Sequence, residues 1–181
     1  ETNIILEKKH KHYLSKLSPF EVKLRRCYKY NKSILSHYQN QIRTFTSKEK
    51  KWITDVLQKN ILDILQKFPR APLLEWNFIK FEKLEANMPH TFDKYIMLSD
   101  VVINHWMNNN LNHNALKTLI HERIHIHQRQ YPKKYHLLYR HYWNFHYLPE
   151  LKQKITNHKW LTKYQRLNPD GINTAWVFVT S

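Results

Sequence analysis

The stretch Leu119-Ile120-His121-Glu122-Arg123-Ile124-His125-Ile126-His127-Gln128 decides how the rest of the chain is read. It carries a single HExxH pattern, made by His121, Glu122 and His125. On an α-helix, residues four apart share a face with Cβ atoms about 5–6 Å apart, so two imidazoles can grip one ion. Zinc accepts such nitrogens at about 2.0–2.1 Å and prefers a tetrahedral site. Glu122 follows the first histidine and leans toward the open side of that ion, where a carboxylate takes a proton from bound water. His127 lies roughly 200° around the helix from His125 and reads as structural. Arg129, one turn beyond His125, is placed to support a ligand or to meet a substrate carboxylate.

Working outward, the spacing predicts a helix from about Asn114 to Gln130. Leu116, Leu119, Ile120, Ile124 and Ile126 are expected on its buried side, with Thr118, His121, Glu122, His125 and Arg129 on or near the other. Before it, residues 104–114 read as a polar, Asn-heavy connection. Leu74 to Leu84, with Trp76, Phe78 and Phe81, alternates as a strand does, and Tyr95-Ile96-Met97-Leu98 reads as a second short strand after a turn at Met88-Pro89-His90. After the motif, Pro132 suits the first turn of a helix carrying Tyr135, Leu138, Tyr139, Tyr142 and Trp143.

Two capping boxes mark earlier helices. Ser18-Pro19-Phe20-Glu21 opens one that runs to about Tyr38. Thr46-Ser47-Lys48-Glu49 opens another, whose Trp52, Ile53, Val56, Leu57, Ile61, Ile64, Leu65 and Phe68 recur at helical spacing up to Pro69. Residues 1–17 form a basic N-terminal segment without a clear element. The chain ends in Trp176-Val177-Phe178-Val179-Thr180-Ser181, which reads as strand and leaves a C-terminal continuation open.

At 181 residues, with 41% hydrophobic content, the chain is long and apolar enough for one cored domain over 1–181. No internal repeat or low-complexity linker divides it. The net charge of +16 attracts nucleic acid, acidic membrane surfaces or acidic proteins, and by itself says nothing of chemistry. Its bland reading is solubility together with the Lys, Asn, Ile and Tyr usage of AT-rich genomes, among them those of large DNA viruses. Cys27 is the only cysteine, so no internal disulfide forms and a reducing compartment is expected. No apolar run reaches the length of a membrane span. Glu1 opens the chain without a signal-peptide pattern, which suits a processed or excised segment and an intracellular or virion-borne location.

The motif, the strands before it and the helical pattern around it resemble the zincin zinc metallopeptidases. The resemblance covers roughly residues 74 to 146, and only the motif itself matches specifically. It implies an α+β, predominantly helical domain with a small mixed or antiparallel sheet packed on the motif helix. It implies His121 and His125 as Zn2+ ligands and Glu122 as the catalytic base acting on a zinc-bound water in peptide-bond hydrolysis. It also implies an extended peptide paired with an edge strand, here the one around Tyr95 to Leu98.

A third ligand is required, and the residues leave several choices. Asp170 ranks first: it stands in Asn168-Pro169-Asp170-Gly171, where Pro169 fixes φ and Gly171, the chain's only glycine, permits a positive φ. Glu150, the sole glutamate after Glu122, ranks second, and His141 third. Arg166, Tyr139 and Tyr142 are candidates for stabilising an oxyanion or contacting substrate. The alternatives to a peptidase are a basic nucleic-acid-associated protein and a structural zincin-like domain with little or no activity.

Overall fold

The computed structural model describes residues 38–67, 75–147 and 176–178, the backbone alone for 61–67 and 176–178. They form an α+β arrangement with a small mixed sheet. In chain order the elements are β1 (Ile42–Arg43), α1 (Ser47–Lys67), β2 (Asn77–Phe81), a short turn of 3-10 type (Glu85–Asn87), β3 (His90–Phe92) and β4 (Tyr95–Ser99). There follow α2 (Asp100–Asn108), α3 (Asn112–Gln130), α4 (Pro132–Leu137), a π-helical turn (Leu138–Tyr142), β5 (Phe145–Tyr147) and β6 (Trp176–Phe178).

Helix α1 starts where its capping box says it should. The Thr46 amide donates to Glu49 Oε2 at 2.7 Å, and the Glu49 amide donates to Thr46 Oγ1 at 3.2 Å. Two of the amides that a helix start leaves unpaired are thereby satisfied. Ile53 and Val56 turn inward from this helix, three residues apart.

The four-stranded sheet has the order β1-β2-β4-β3. β2 and β4 run parallel in the register Phe78↔Ile96 and Lys80↔Leu98, while β1 and β3 are antiparallel to their neighbours. The chain therefore leaves β2, passes beyond the position of β4 to lay down β3, and returns through Asp93-Lys94 to insert β4. The passage includes three consecutive residues at positive φ, Glu85 (47°), Ala86 (55°) and Asn87 (65°), none of them glycine. Left-handed backbone costs a non-glycine residue on the order of 1 kcal/mol, so outside contacts must hold this turn. The Tyr38 hydroxyl donates to the buried Glu85 carboxylate, and Ser99 Oγ donates to the Asn87 carbonyl at 2.9 Å.

This topology corrects one expectation: Tyr95–Ser99 is an interior strand, paired on both sides, and has no edge to offer a peptide. Ile96, Met97 and Leu98 form an unbroken buried run, so both faces of this strand are covered. The strand at that side of the sheet is β3, whose three residues are themselves buried.

A second correction concerns residues 104–114. They are largely helical: α2 extends to Asn108 and the motif helix starts at Asn112. Ser99 closes β4 and also caps α2, its Oγ accepting from the Val102 amide at 3.2 Å. Ile103 and Trp106 bury their side chains, so the asparagines mark one exposed face and the helix end rather than a coil. Asn109 Nδ2 donates to the His105 carbonyl at 2.8 Å, and Asn110, at φ 52°, ends the helix. Likewise, the expected turn at Met88-Pro89-His90 gives way at His90 to β3.

Helix α3 lies on the core. Ala115, Leu116, Leu119 and Ile126 join Ile96 and Leu98 of β4, Ile103 and Trp106 of α2, and Ile53 and Val56 of α1. Trp52 stacks on Trp106 at 6.3 Å between ring centroids, and its Nε1 donates to Asn112 Oδ1 at 3.0 Å, fastening the start of α3 to α1. Pro132 opens α4 as expected, and Trp176–Phe178 is a strand, paired antiparallel with Phe145–Tyr147. The first capping box at Ser18 to Glu21, and the turn at Asn168 to Gly171, lie outside the described residues.

Candidate metal centre

The motif helix presents its histidines at the rim of the buried face. Leu119 and Ile126 point into the core, and Glu122 lies three residues past one and four before the other, so the helical period sets it between them. Glu122 is accordingly only 5% exposed. Ile124, two residues on, falls on the opposite side and is 45% exposed. Both positions reverse the expected split of the helix into apolar and polar faces. His121, one residue before Glu122, is exposed, and His125 is half-buried.

The two imidazoles converge. His125 Nε2 and His121 Nε2 are 3.0 Å apart, and the rings meet edge to face with centroids 4.6 Å apart. Two nitrogens bound at about 2.05 Å to one tetrahedral ion stand about 3.3 Å from each other. The pair is therefore within a few tenths of an ångström of the bite that zinc requires, using the same nitrogen of each ring. This donor pair fits the ion implied by the motif.

The far side of His125 is also held. Its Nδ1 lies 3.0 Å from Gln128 Oε1, and Gln128 Nε2 donates to the Tyr139 hydroxyl at 2.6 Å. Burial pushes the Tyr139 hydroxyl up from its ordinary pKa of 10.0, with the Gln128 bond pulling the other way. Gln128 and Tyr139 as partners of His125 were not legible in the pattern. The i+3 position of Gln128 after His125 was the available signal.

The neighbours of the motif have structural partners. His127 Nδ1 is 2.9 Å from the Tyr135 hydroxyl, and its ring packs on Tyr131 at 4.6 Å. Burial, then the charges of Arg123 and Lys134, push the His127 ring below its ordinary 6.5, so it is neutral near pH 7. Arg129 donates to the Asp93 carbonyl at 2.8 Å, clamping the end of α3 to the turn between β3 and β4.

Among the described residues, no group of three or more His, Cys, Asp or Glu is placed to hold a metal ion. His141 is exposed and does not group with His121 and His125, and Tyr142, 80% exposed, reaches into solvent. Glu150, Arg166 and Asp170 lie outside the described residues. Among the described residues, no helix is long and apolar enough to cross a membrane. Comparison of the chain with known protein families, curated proteins and solved structures finds no match.

Proposed function

We propose that this chain is a zinc-dependent peptide hydrolase, with His121 and His125 as two of the metal's ligands and Glu122 as its proton-transferring group. The observation that carries this reading is the convergence of two Nε2 atoms at 3.0 Å on the helix face adjoining a buried carboxylate. Zinc, when bound there, supplies a Lewis acid and lowers the pKa of water to about 7.

The chain's own residues do the rest. His121 and His125 hold their rings edge to face from one rigid helix whose underside is anchored by Leu119 and Ile126. Glu122, set into the protein surface, accepts a proton at its carboxylate and returns it to the leaving amine; such transfer contributes about 10²–10⁴-fold to rate. Its low exposure limits competition from bulk water for that proton. Asp170 remains the proposed third ligand, with Glu150 and His141 behind it.

Metal analysis of the purified chain tests the proposal first. One zinc per chain is expected, lost in His121→Ala or His125→Ala, together with a hydrolysis of denatured protein that a chelator abolishes. A chain that takes up no zinc, or hydrolysis indifferent to chelation, overturns it. Full zinc retention in Asp170→Ala removes Asp170 from the ligand set. Zinc without turnover on any denatured protein favours a structural zincin-like domain instead.

A specific observation favours a second reading, association with single-stranded nucleic acid. Residues 123–149 contain no Asp or Glu, and Lys133, Lys134 and Arg140 are exposed among them. Tyr131, Tyr142, Trp143 and Tyr147 are exposed in the same segment. Aromatic faces beside cations stack bases and neutralise phosphates, so the affinity should fall steeply with salt. An affinity that stays constant between low and moderate salt sinks this reading. The two are compatible, since a peptidase held on nucleic acid would meet proteins bound there.

A further inference from the structure

A neutral imidazole carries one proton, and the nitrogen that bears it cannot be the one that binds a metal. His125 has its two nitrogens in different surroundings. Nε2 faces the His121 ring, and Nδ1 faces Gln128 Oε1 at 3.0 Å. An amide oxygen only accepts, so the Nδ1 opposite it is the nitrogen that carries the proton. Gln128 is itself oriented, because its Nε2, which only donates, lies 2.6 Å from the Tyr139 hydroxyl. The donors and acceptors then run one way: His125 Nδ1–H to Gln128 Oε1, and Gln128 Nε2–H to Tyr139.

The far end of this chain sits on unusual backbone. Tyr139 belongs to the π-helical turn Leu138–Tyr142, closed by the Trp143 amide donating to the Leu138 carbonyl at 3.2 Å. Such turns are rare and recur at functional sites. This one is braced by a run of rings: Tyr139 lies 6.0 Å from Tyr135 and 5.5 Å from Trp143 between centroids. The hydroxyl that orients Gln128 is thus fixed by the fold and not by a freely rotating side chain.

We infer that Gln128, oriented by Tyr139, is a positioning residue that holds His125 in the Nδ1–H tautomer and so keeps its Nε2 lone pair aimed at the point shared with His121. The inference rests on the reading of His125 as a zinc ligand, but it makes a claim about the metal-free chain that can be tested separately. Partners of this kind commonly change metal affinity by about 10–100-fold when removed.

The test uses the full-length, 15N-labelled, zinc-free chain at a pH where the ring is neutral. Long-range proton–nitrogen correlation reports which ring nitrogen is protonated, with His125 assigned by difference from His125→Ala. The Nδ1–H pattern is expected in the wild type and in Gln128→Glu, which keeps an acceptor oxygen. Gln128→Leu should shift His125 toward Nε2–H, and its Zn2+ affinity, read by competition with a chromophoric chelator, should fall about 10–100-fold. Tyr139→Phe should move both readouts part of the way. A wild-type His125 protonated on Nε2, or a pattern unchanged in Gln128→Leu, overturns the inference. If the tautomer follows Gln128 as expected while the wild type takes up no zinc, the relay stands and the peptidase proposal falls.

Discussion

Two polar clusters in this protein invite comparison because one is closed on itself and the other is not. Under the sheet, Lys80 of β2 reaches both Glu49, at 3.0 Å, and Asp100, at 2.7 Å. One cation is shared by two carboxylates from the first turns of α1 and α2, where helix dipoles also favour negative charge. Glu49 and Lys80 are buried, and both find opposite charge within the cluster. At the rim of α3, by contrast, two like groups, His121 and His125, face each other at 3.0 Å. A largely buried cluster that brings opposite charges together explains itself as architecture. Two imidazole nitrogens 3.0 Å apart are the geometry on which the zinc proposal rests.

Substitution should separate the two clusters cleanly. The largest effect is expected at the rim: Glu122→Gln should lower peptide hydrolysis by about 10²–10⁴-fold with zinc still bound, as metal analysis of the variant would show. Retention of full activity would remove Glu122 from the mechanism.

Next comes Lys80→Met, which leaves Glu49 and Asp100 facing each other and should cost about 3–5 kcal/mol in chemical denaturation. A loss below about 1 kcal/mol would mean that the cluster contributes as little as an exposed pair.

The cluster also sets a pH window. Burial by itself would raise the Glu49 carboxyl, but the Thr46 amide and the Lys80 hydrogen bond outweigh it and hold it below its usual 4.5. Burial would likewise lower the Lys80 ammonium, but Asp100 and then Glu49 hold it above its usual 10.5. A carboxylate depressed in the folded state stabilises above its unfolded value, and a raised ammonium stabilises below its own. The contribution should therefore be complete between pH 4.5 and 10.5, fading as acid protonates Glu49 or as alkali neutralises Lys80. Denaturation midpoints across that range check it, and Lys80→Met should flatten the alkaline limb. The smallest effect expected is that of Thr46→Ala, about 1 kcal/mol from the lost cap of α1.

Local signals read well from the chain. The capping box at Thr46 to Glu49 depends on residues three apart, and it formed with both hydrogen bonds. Pro132 at the start of α4 needed only its own fixed φ. The same locality misled at residues 104–114, where asparagine content outweighed the cap at Ser99. It misled again at Glu122 and Ile124. Chemistry assigned the acid outward and the aliphatic residue inward, whereas the helical period, anchored by Leu119 and Ile126, placed them the other way round.

What the sequence determined by itself was the four-residue spacing of His121 and His125 on a helix, since a 3.6-residue period brings such a pair to one face without help from elsewhere. Caps and apolar runs that act over a few residues also marked the start of α1 and the region of β2 and β4. Only the tertiary structure decided that Tyr95–Ser99 lies inside the sheet, because strand order depends on the path by which the chain passes β4 to reach β3. Only the tertiary structure joined Gln128 to Tyr139 across a change of helix, and with it supplied the hydrogen bond that orients His125. Spacing sets which residues share a face; distance through space sets which groups meet, and that was settled when the elements packed.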